Sequence, residues 1–340
     1  MGPFGEAILY RREAAFASRA EHCAGGVFDR ERRWANMLGM QAPHPTGPTG
    51  APDAEAESPF CLTRPPGGRP AGALIFASPH SGRIYPASLL AASRLEAAAL
   101  RRSEDAYVDQ LIACAPGHGV SLLTARLARA WIDVNREPWE LDPAMFEGDL
   151  PAYAKGGSSR VAAGLGVIAR IVGEGQDIYS RKLTFAEAVS RVEAVHRPYH
   201  QALAQLVRDT VQTHGLAVLI DWHSMPAAAT AQGGDGGRDI VLGDRFGSAA
   251  APAISRRVEA ELKALGYGVA RNAPYAGGYT TAHYGRPAAK VHALQIEVSR
   301  GLYLDEATMA PTAGFAKLKA DMTRLIARLA AINWSDPRPG

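Results

Sequence analysis

From Ala71 onward the chain alternates short apolar runs with longer amphipathic stretches, the pattern of a mostly parallel sheet covered by helices. Ala73 to Ala77, Ser121 to Leu123, Trp131 to Val134, Ala217 to Asp221, Ile240 to Leu242 and Ala293 to Val298 have the length and composition of strands. Leu89 to Cys114, rich in Ala and Leu with a polar face, predicts a helix. Tyr179 to His214 predicts one or two helices interrupted near Pro198. Ala249 to Leu265 predicts a helix stopped by Gly266, and Pro311 to Ile332 a final amphipathic helix. The expected fold class is therefore α/β, a mixed, mostly parallel sheet flanked by helices on both faces.

The segment before this pattern is different. Met1 to about Pro59 lacks sustained apolar periodicity, and Gln41 to Ser58 is rich in Pro, Gly, Ala and Thr. Residues 1–59 are expected to form an extension, flexible or loosely packed, ahead of a single domain over 60–335. An arm packed on that domain, or an upstream start with Met37 or Met40 as alternatives, fits the same pattern. Within the domain, the connections Arg136 to Ala163, Met225 to Asp239 and Ala270 to Pro287 exceed the usual loop length, as binding loops and lids do.

Four apolar runs end in polar motifs: Ser78-Pro79-His80-Ser81-Gly82, Asp133-Val134-Asn135-Arg136, Asp221-Trp222-His223-Ser224 and Gln295-Ile296-Glu297-Val298. In an open α/β sheet, ligands bind beyond the carboxyl ends of the strands, so four such tails would deliver their side chains to one crevice. His80 and His223 are the candidate metal ligands. A catalytic zinc commonly takes three protein ligands and keeps a position for water, and the third candidates are Asp105 and Glu104. Asp221, on the strand face of His223, is placed to orient that imidazole from behind. Glu297 sits within an apolar strand, where a carboxylate needs a cation or a role in proton transfer; it is the candidate general base. Asn135 and Arg136, with Arg129 before them, suit bidentate recognition of a carboxylate. Gly277 and Gly278 permit close backbone approach to a ligand, with Tyr279 as a hydroxyl donor.

Composition removes several other classes. The 37 basic and 34 acidic residues are spread along the chain and give +3, so no basic block points to nucleic acid or a membrane. Three cysteines, Cys23, Cys61 and Cys114, without CxxC spacing, argue against a disulfide framework or a thiolate zinc site and suit the cytoplasm. No apolar run is long enough for a membrane helix, and the N-terminus has charges where a signal peptide needs an apolar core. What remains is a small-molecule partner or none.

Taken in order, the motifs resemble the N-formylglutamate amidohydrolase (deformylase) family. The segments that carry the resemblance are SPHSG (78–82), EDAYVD (104–109), DVNREPWELDP (133–143), RPYH (197–200), IDWHSMP (220–226), DIVLGDR (239–245), NAPYAGGYTT (272–281) and HALQIEVSRGLYLDE (292–306). They span roughly residues 70 to 330. The resemblance implies a fold similar to the zinc carboxypeptidases and aspartoacylases, one Zn2+ ion, and hydrolysis of an N-acyl amino acid, with a place in histidine degradation following from that substrate. The relatives' His-x-x-Glu pattern is not kept, since Arg83 stands three residues after His80. The resemblance therefore implies His80, Asp105 and His223 as ligands and Glu297 as base. It further implies Asn135 and Arg136 on the substrate carboxylate, and Arg129 or Arg286 at the oxyanion. Two rival expectations are an amidase for another N-acyl amino acid and a non-catalytic binder of an acidic metabolite.

Overall fold

The apolar runs pair into one seven-stranded sheet in a computed structural model that describes residues 58–154, 156–229 and 238–335. Its strands are β1 (Phe60–Thr63), β2 (Leu74–Ser78), β3 (Ser121–Ala125), β4 (Ala217–Met225), β5 (Ile240–Gly243), β6 (Val269–Arg271) and β7 (Val291–Ser299). They lie in the order β1-β3-β2-β4-β7-β5-β6. The pairs β3/β2, β2/β4, β4/β7 and β5/β6 are parallel, whereas β1/β3 and β5/β7 are antiparallel. The sheet is therefore mixed and mostly parallel, as the alternation of runs predicts. The expectation for residues 1–59 lies outside the described residues except at Ser58 and Pro59.

Helices cover both faces, and the two-residue strand period decides which side chains meet them. The principal helices are α1 (Ala87–Ala92), α2 (Phe185–Arg191), α3 (Arg197–His214), α4 (Pro252–Ala264), α5 (Tyr279–Tyr284) and α6 (Gly314–Ala330). Phe76, Val218, Ile220, Trp222, Leu294, Ile296 and Val298 pack in one cluster with Val258 and Leu262 of α4 and Met322 and Leu325 of α6. The alternate positions Ile75, Ala77, Ala217, Leu219 and Ala293 join Ala188 of α2 and Tyr199, Leu203 and Leu206 of α3. Fully burying each large apolar side chain contributes about 1.5–3 kcal/mol. That burial holds the central strands in register and carries the polar residues at their ends into the interior.

Several local expectations fail for identifiable reasons. Leu89 to Cys114 is not one helix. It is divided into α1 and the short turns Ala97–Leu100 and Val108–Leu111, with Ser93, Glu96 and Glu104 extended and Tyr107 left-handed. Trp131 to Val134 is an irregular loop rather than a strand, so Asn135 and Arg136 leave a turn. Pro198 does not interrupt its helix. Proline lacks an N–H and crowds the carbonyl four residues back, and the chain widens into a π-helical turn, Val192–His196, between α2 and α3. The short strands β1 and β6 carry no local signal that the apolar pattern could expose. Gly266 closes the turn after α4 at φ +91, the left-handed stop expected of it.

A capping box starts α2: Thr184 Oγ1 accepts from Glu187 N at 3.2 Å, and Glu187 Oε2 accepts from Thr184 N at 2.8 Å. Thr184→Ala is expected to lower stability by about 1 kcal/mol, read as a lower melting temperature with unchanged activity per folded molecule. Among the described residues no helix is long and apolar enough to cross a membrane. Cys61 and Cys114 are free thiols.

Candidate active site

On the α3 side of the sheet, β4 runs Ala217, Leu219, Asp221, His223, and β7 runs Ala293, Gln295, Glu297. The switch from apolar to polar comes at the same level in both strands. Register pairs Asp221 with Gln295 and His223 with Glu297, all four buried. Two strands thus deliver a histidine and a glutamate side by side at their carboxyl ends.

The loop after β2 adds His80, and the turn before Val108–Leu111 adds Asp105. Asp105 N donates to the His80 carbonyl at 3.0 Å, and Ser81 Oγ donates to the Asp105 carbonyl at 3.2 Å, joining the two segments. His80 Nδ1 and Asp105 Oδ2 are 3.2 Å apart, His223 Nδ1 and Asp105 Oδ2 2.9 Å, and the two Nδ1 atoms 3.0 Å. Glu104 turns away to Tyr85 and Arg101, so Asp105 is the acid brought to the histidines.

The outer nitrogens fix the tautomers. His80 Nε2 lies 2.6 Å from Asp133 Oδ1 and His223 Nε2 2.8 Å from Asp221 Oδ2; a carboxylate only accepts, so both Nε2 atoms carry protons. In the neutral rings both Nδ1 lone pairs then point at each other and at Asp105. Three acceptors crowded into one buried triangle need a cation between them. Ligand atoms ~2.0–2.1 Å from a tetrahedral zinc stand about 3.3 Å apart, close to the observed edges, and the two histidines with their carboxylate partners form the usual outer support of such a site. The residues fit a single divalent ion.

Electrostatics agree with that reading. Burial disfavours an imidazolium at His223, yet Asp221 and Asp105 outweigh it and hold its pKa well above the ordinary value. The site therefore draws positive charge to the position a metal would take. Burial also disfavours the charged forms of Asp105 and Asp133. The His223 and His80 rings against it keep the first ionised, and Arg129, His80 and Arg136 the second, both well below the usual carboxylate range. Glu297 is the exception: burial pushes its carboxyl up to about 7, with His223 opposing and Asp105 reinforcing the shift. A buried carboxyl that titrates near neutrality is suited to exchange protons.

The surrounding residues are brought in unequally. Arg129 Nη2 donates to Asp133 Oδ2 at 2.6 Å, at the edge of the centre. Arg136 is held by Leu165 O, 2.9 Å from Nε, and by Asn135 O, 3.1 Å from Nη1. Asn135 is committed on both ends of its amide. Its Oδ1 accepts from Thr280 N at 2.7 Å, and its Nδ2 donates to Asp221 Oδ2 at 3.2 Å. That amide is why Gly278 is a glycine, since a Cβ there would lie 2.5 Å from Asn135 Nδ2. Gly277, at φ +131, would drive a Cβ to 2.4 Å from Thr281 Oγ1. Gly278 N donates to Gln295 Oε1 at 2.7 Å and Gln295 Nε2 to Glu297 Oε1 at 2.7 Å, so the glycine loop orients the glutamate through one side chain. Tyr279 begins α5 beside them.

Arg286 is a correction. It is exposed, bridges Val291 at the amino end of β7, and its Nη1 caps the carbonyls of Ala282 and Gly285 at 2.7 Å each. Glu297 lies six residues further along that strand, roughly 20 Å at the usual rise per residue. The end of α5 needs the guanidinium locally, which keeps it from the oxyanion position.

Sequence reasoning missed two residues. Asp133, within a quoted motif, orients His80 and also accepts from Asn135 N at 2.8 Å. Arg300, just past β7, is buried and reaches Glu104 O at 2.7 Å, Ser224 Oγ at 3.1 Å and Asp105 Oδ1 at 3.3 Å, pinning the free oxygen of Asp105. A guanidinium three residues beyond the buried glutamate was the available signal.

Fold and site together place the chain among the α/β proteins whose chemistry is set at the carboxyl edge of the sheet. The profile of the N-formylglutamate amidohydrolase family matches residues 72–304, and the chain belongs to that family. An N-formylglutamate deformylase of Pseudomonas aeruginosa is 30% identical over 259 residues, covering 75% of this chain and 90% of that protein. Its counterpart from Pseudomonas putida is 27% identical over 236 residues, covering 68% and 82%. The crystal structure of N-formylglutamate amidohydrolase from Ralstonia eutropha JMP134 matches with a TM-score of 0.75 at 40% identity, covering 80% of this chain and 97% of that one.

Proposed function

We propose that this chain hydrolyses N-formyl-L-glutamate to formate and L-glutamate at the His80, Asp105 and His223 centre. The observation that carries the reading is the convergence of three buried donor atoms within 4.8 Å, with Glu297 in register beside His223. Membership of the family, and the deformylase names of the relatives, supply the substrate class.

A zinc ion held by the three residues would supply Lewis acidity, polarising the formyl carbonyl and making a neighbouring water more acidic. Glu297 takes the proton from the attacking water and passes it to the departing amine nitrogen, so that the C–N bond breaks and formate and the free amino acid result. Arg129, which donates to Asp133, also donates in this reading to the oxygen on which negative charge develops. Arg136 receives a substrate carboxylate through the edge of its guanidinium not committed to the backbone. The Gly277-Gly278 loop and Tyr279 form the facing wall, and Asn135 ties that wall to Asp221 rather than binding substrate itself.

The test is formate release from N-formyl-L-glutamate by metal-analysed protein, before and after removal of metal with a chelator. Release that stops with the metal and returns on adding zinc supports the reading. Metal-loaded protein that releases no formate from this substrate overturns the substrate assignment. The acid limb of the pH profile is a further prediction. Glu297 acts as a carboxylate, so kcat/KM should fall as pH drops through its pKa, about 7 by burial and lower with a cation bound nearby. The residual activity of Glu297→Gln should lack that limb.

A further inference from the structure

Two histidines outside this machinery grip the backbone on either side of Asn135. His196, the last residue of the π-helical turn, has its Nε2 2.9 Å from the carbonyl oxygen of Arg136. His200, one turn on in α3, has its Nε2 2.7 Å from the carbonyl oxygen of Val134 and its Nδ1 2.9 Å from the Tyr284 hydroxyl. A carbonyl only accepts, so each Nε2 carries the proton, and His200 Nδ1 accepts from Tyr284. Burial keeps both rings neutral, with His196 pulled down to about 4 and His200 well below its ordinary value. Among the described residues the segment 134–136 lies in no sheet ladder, and these two imidazoles bond its outer carbonyls.

The same rings shape the opposite wall. Tyr279 meets His200 edge-on at 5.2 Å and His196 at 5.8 Å, while His283 stacks on it at 4.9 Å and 24°. The π-helical turn has a structural cause in Pro198, but its position also sets where His196 meets the loop. Short π-helical insertions are frequently found at functional sites.

We infer that His196 and His200 are positioning residues: by fixing the carbonyls of Val134 and Arg136 and seating the ring of Tyr279, they set where the Arg136 guanidinium meets the substrate carboxylate. The inference rests on Arg136 as the carboxylate ligand of the proposed reaction. Arg136 Nε and Nη1 are anchored to backbone carbonyls, so the direction of its Nη2 edge follows the path of this loop. Loss of one imidazole donor frees the loop and spreads the guanidinium over several positions, which weakens substrate capture more than the chemical step.

The experiment compares wild type, His196→Met and His196→Gln, all zinc-loaded, in steady-state hydrolysis of N-formyl-L-glutamate. Methionine fills a similar volume without a donor, and glutamine restores an N–H near the place of Nε2. His196→Met is expected to raise KM about 10-fold with kcat within about 3-fold, and His196→Gln to bring KM back to within about 3-fold of wild type. KM does not depend on the fraction of molecules folded, so a purely structural role leaves it unchanged while lowering the apparent kcat. An unchanged KM in the methionine variant, or a glutamine variant no better than methionine, overturns the inference. If His196→Met yields no folded protein, His196→Asn, whose amide falls short of the carbonyl, takes its place with the same two outcomes. Wild-type enzyme that does not turn over this substrate overturns the parent reading and the positioning role together, whereas turnover with an unmoved KM overturns the positioning role alone.

Discussion

Glu297→Gln is expected to lower formate release by about 10²–10⁴-fold while the protein keeps its full metal content. Glutamine has the shape of glutamate, and its amide oxygen can still accept from Gln295 Nε2, which now stands 2.7 Å from Glu297 Oε1. None of the three donor atoms of the His80, Asp105 and His223 cluster bonds to Glu297, so the cluster should hold its ion unaided. What disappears is the site that accepts a proton. Because the buried carboxylate is lost too, the folded state should be no less stable than wild type. Formate release, metal content and thermal stability measured on one preparation decide the matter. A variant within about tenfold of wild-type activity sinks Glu297 as the base, since that is less than general base catalysis contributes.

Asp105→Asn is expected to cost more in metal affinity than the ~10–100-fold typical of losing an outer partner, and activity should fall with it. The substitution keeps the size of the side chain but removes the charge that holds His80, His223 and Arg300 together. Glu104→Gln is the control, because the neighbouring acid faces Tyr85 and Arg101 and should leave metal binding intact. Titration with zinc in a competing chelator reads both variants. Equal affinity for Asp105→Asn and wild type would remove the aspartate from the ligand set, and a loss confined to Glu104→Gln would exchange the two acids.

The sheet was legible because its central strands are short runs of apolar residues whose neighbours on both faces are also apolar. The change from Leu219 to Asp221, or from Ala293 to Glu297, could then be read as the point where a strand leaves the core. His80, His223, Asp221 and Glu297 came from that rule, and the structure brings them together. Residues held by distant partners were not legible. Asp133 faces His80 across a loop that looked like a strand, and Arg300 meets Asp105 across 195 positions of chain. Arg286 failed for the converse reason: its fate is decided by two carbonyls of its own helix end, and proximity in sequence to the glycine loop said nothing about which end of β7 it would occupy. The divided segment 89–114 shows the limit of helix propensity, since alanine and leucine there serve several short turns that follow the edge of the core.

The pairing of β4 with β7 bears on how the protein reaches its native state. These strands run parallel over nine residue pairs, from Ala217 with Val291 to Met225 with Ser299, and their partners in the centre come from as far back as His80. Such pairings close long loops before any contact rewards the lost entropy, which slows folding. The donor triangle exists only after that closure, with one corner from each of three remote stretches. A metal ion therefore cannot act as a seed around which the chain collapses, as it does in small zinc modules that are unfolded without it. An ion held there would arrive at a completed scaffold and tighten a structure whose slow step is already behind it.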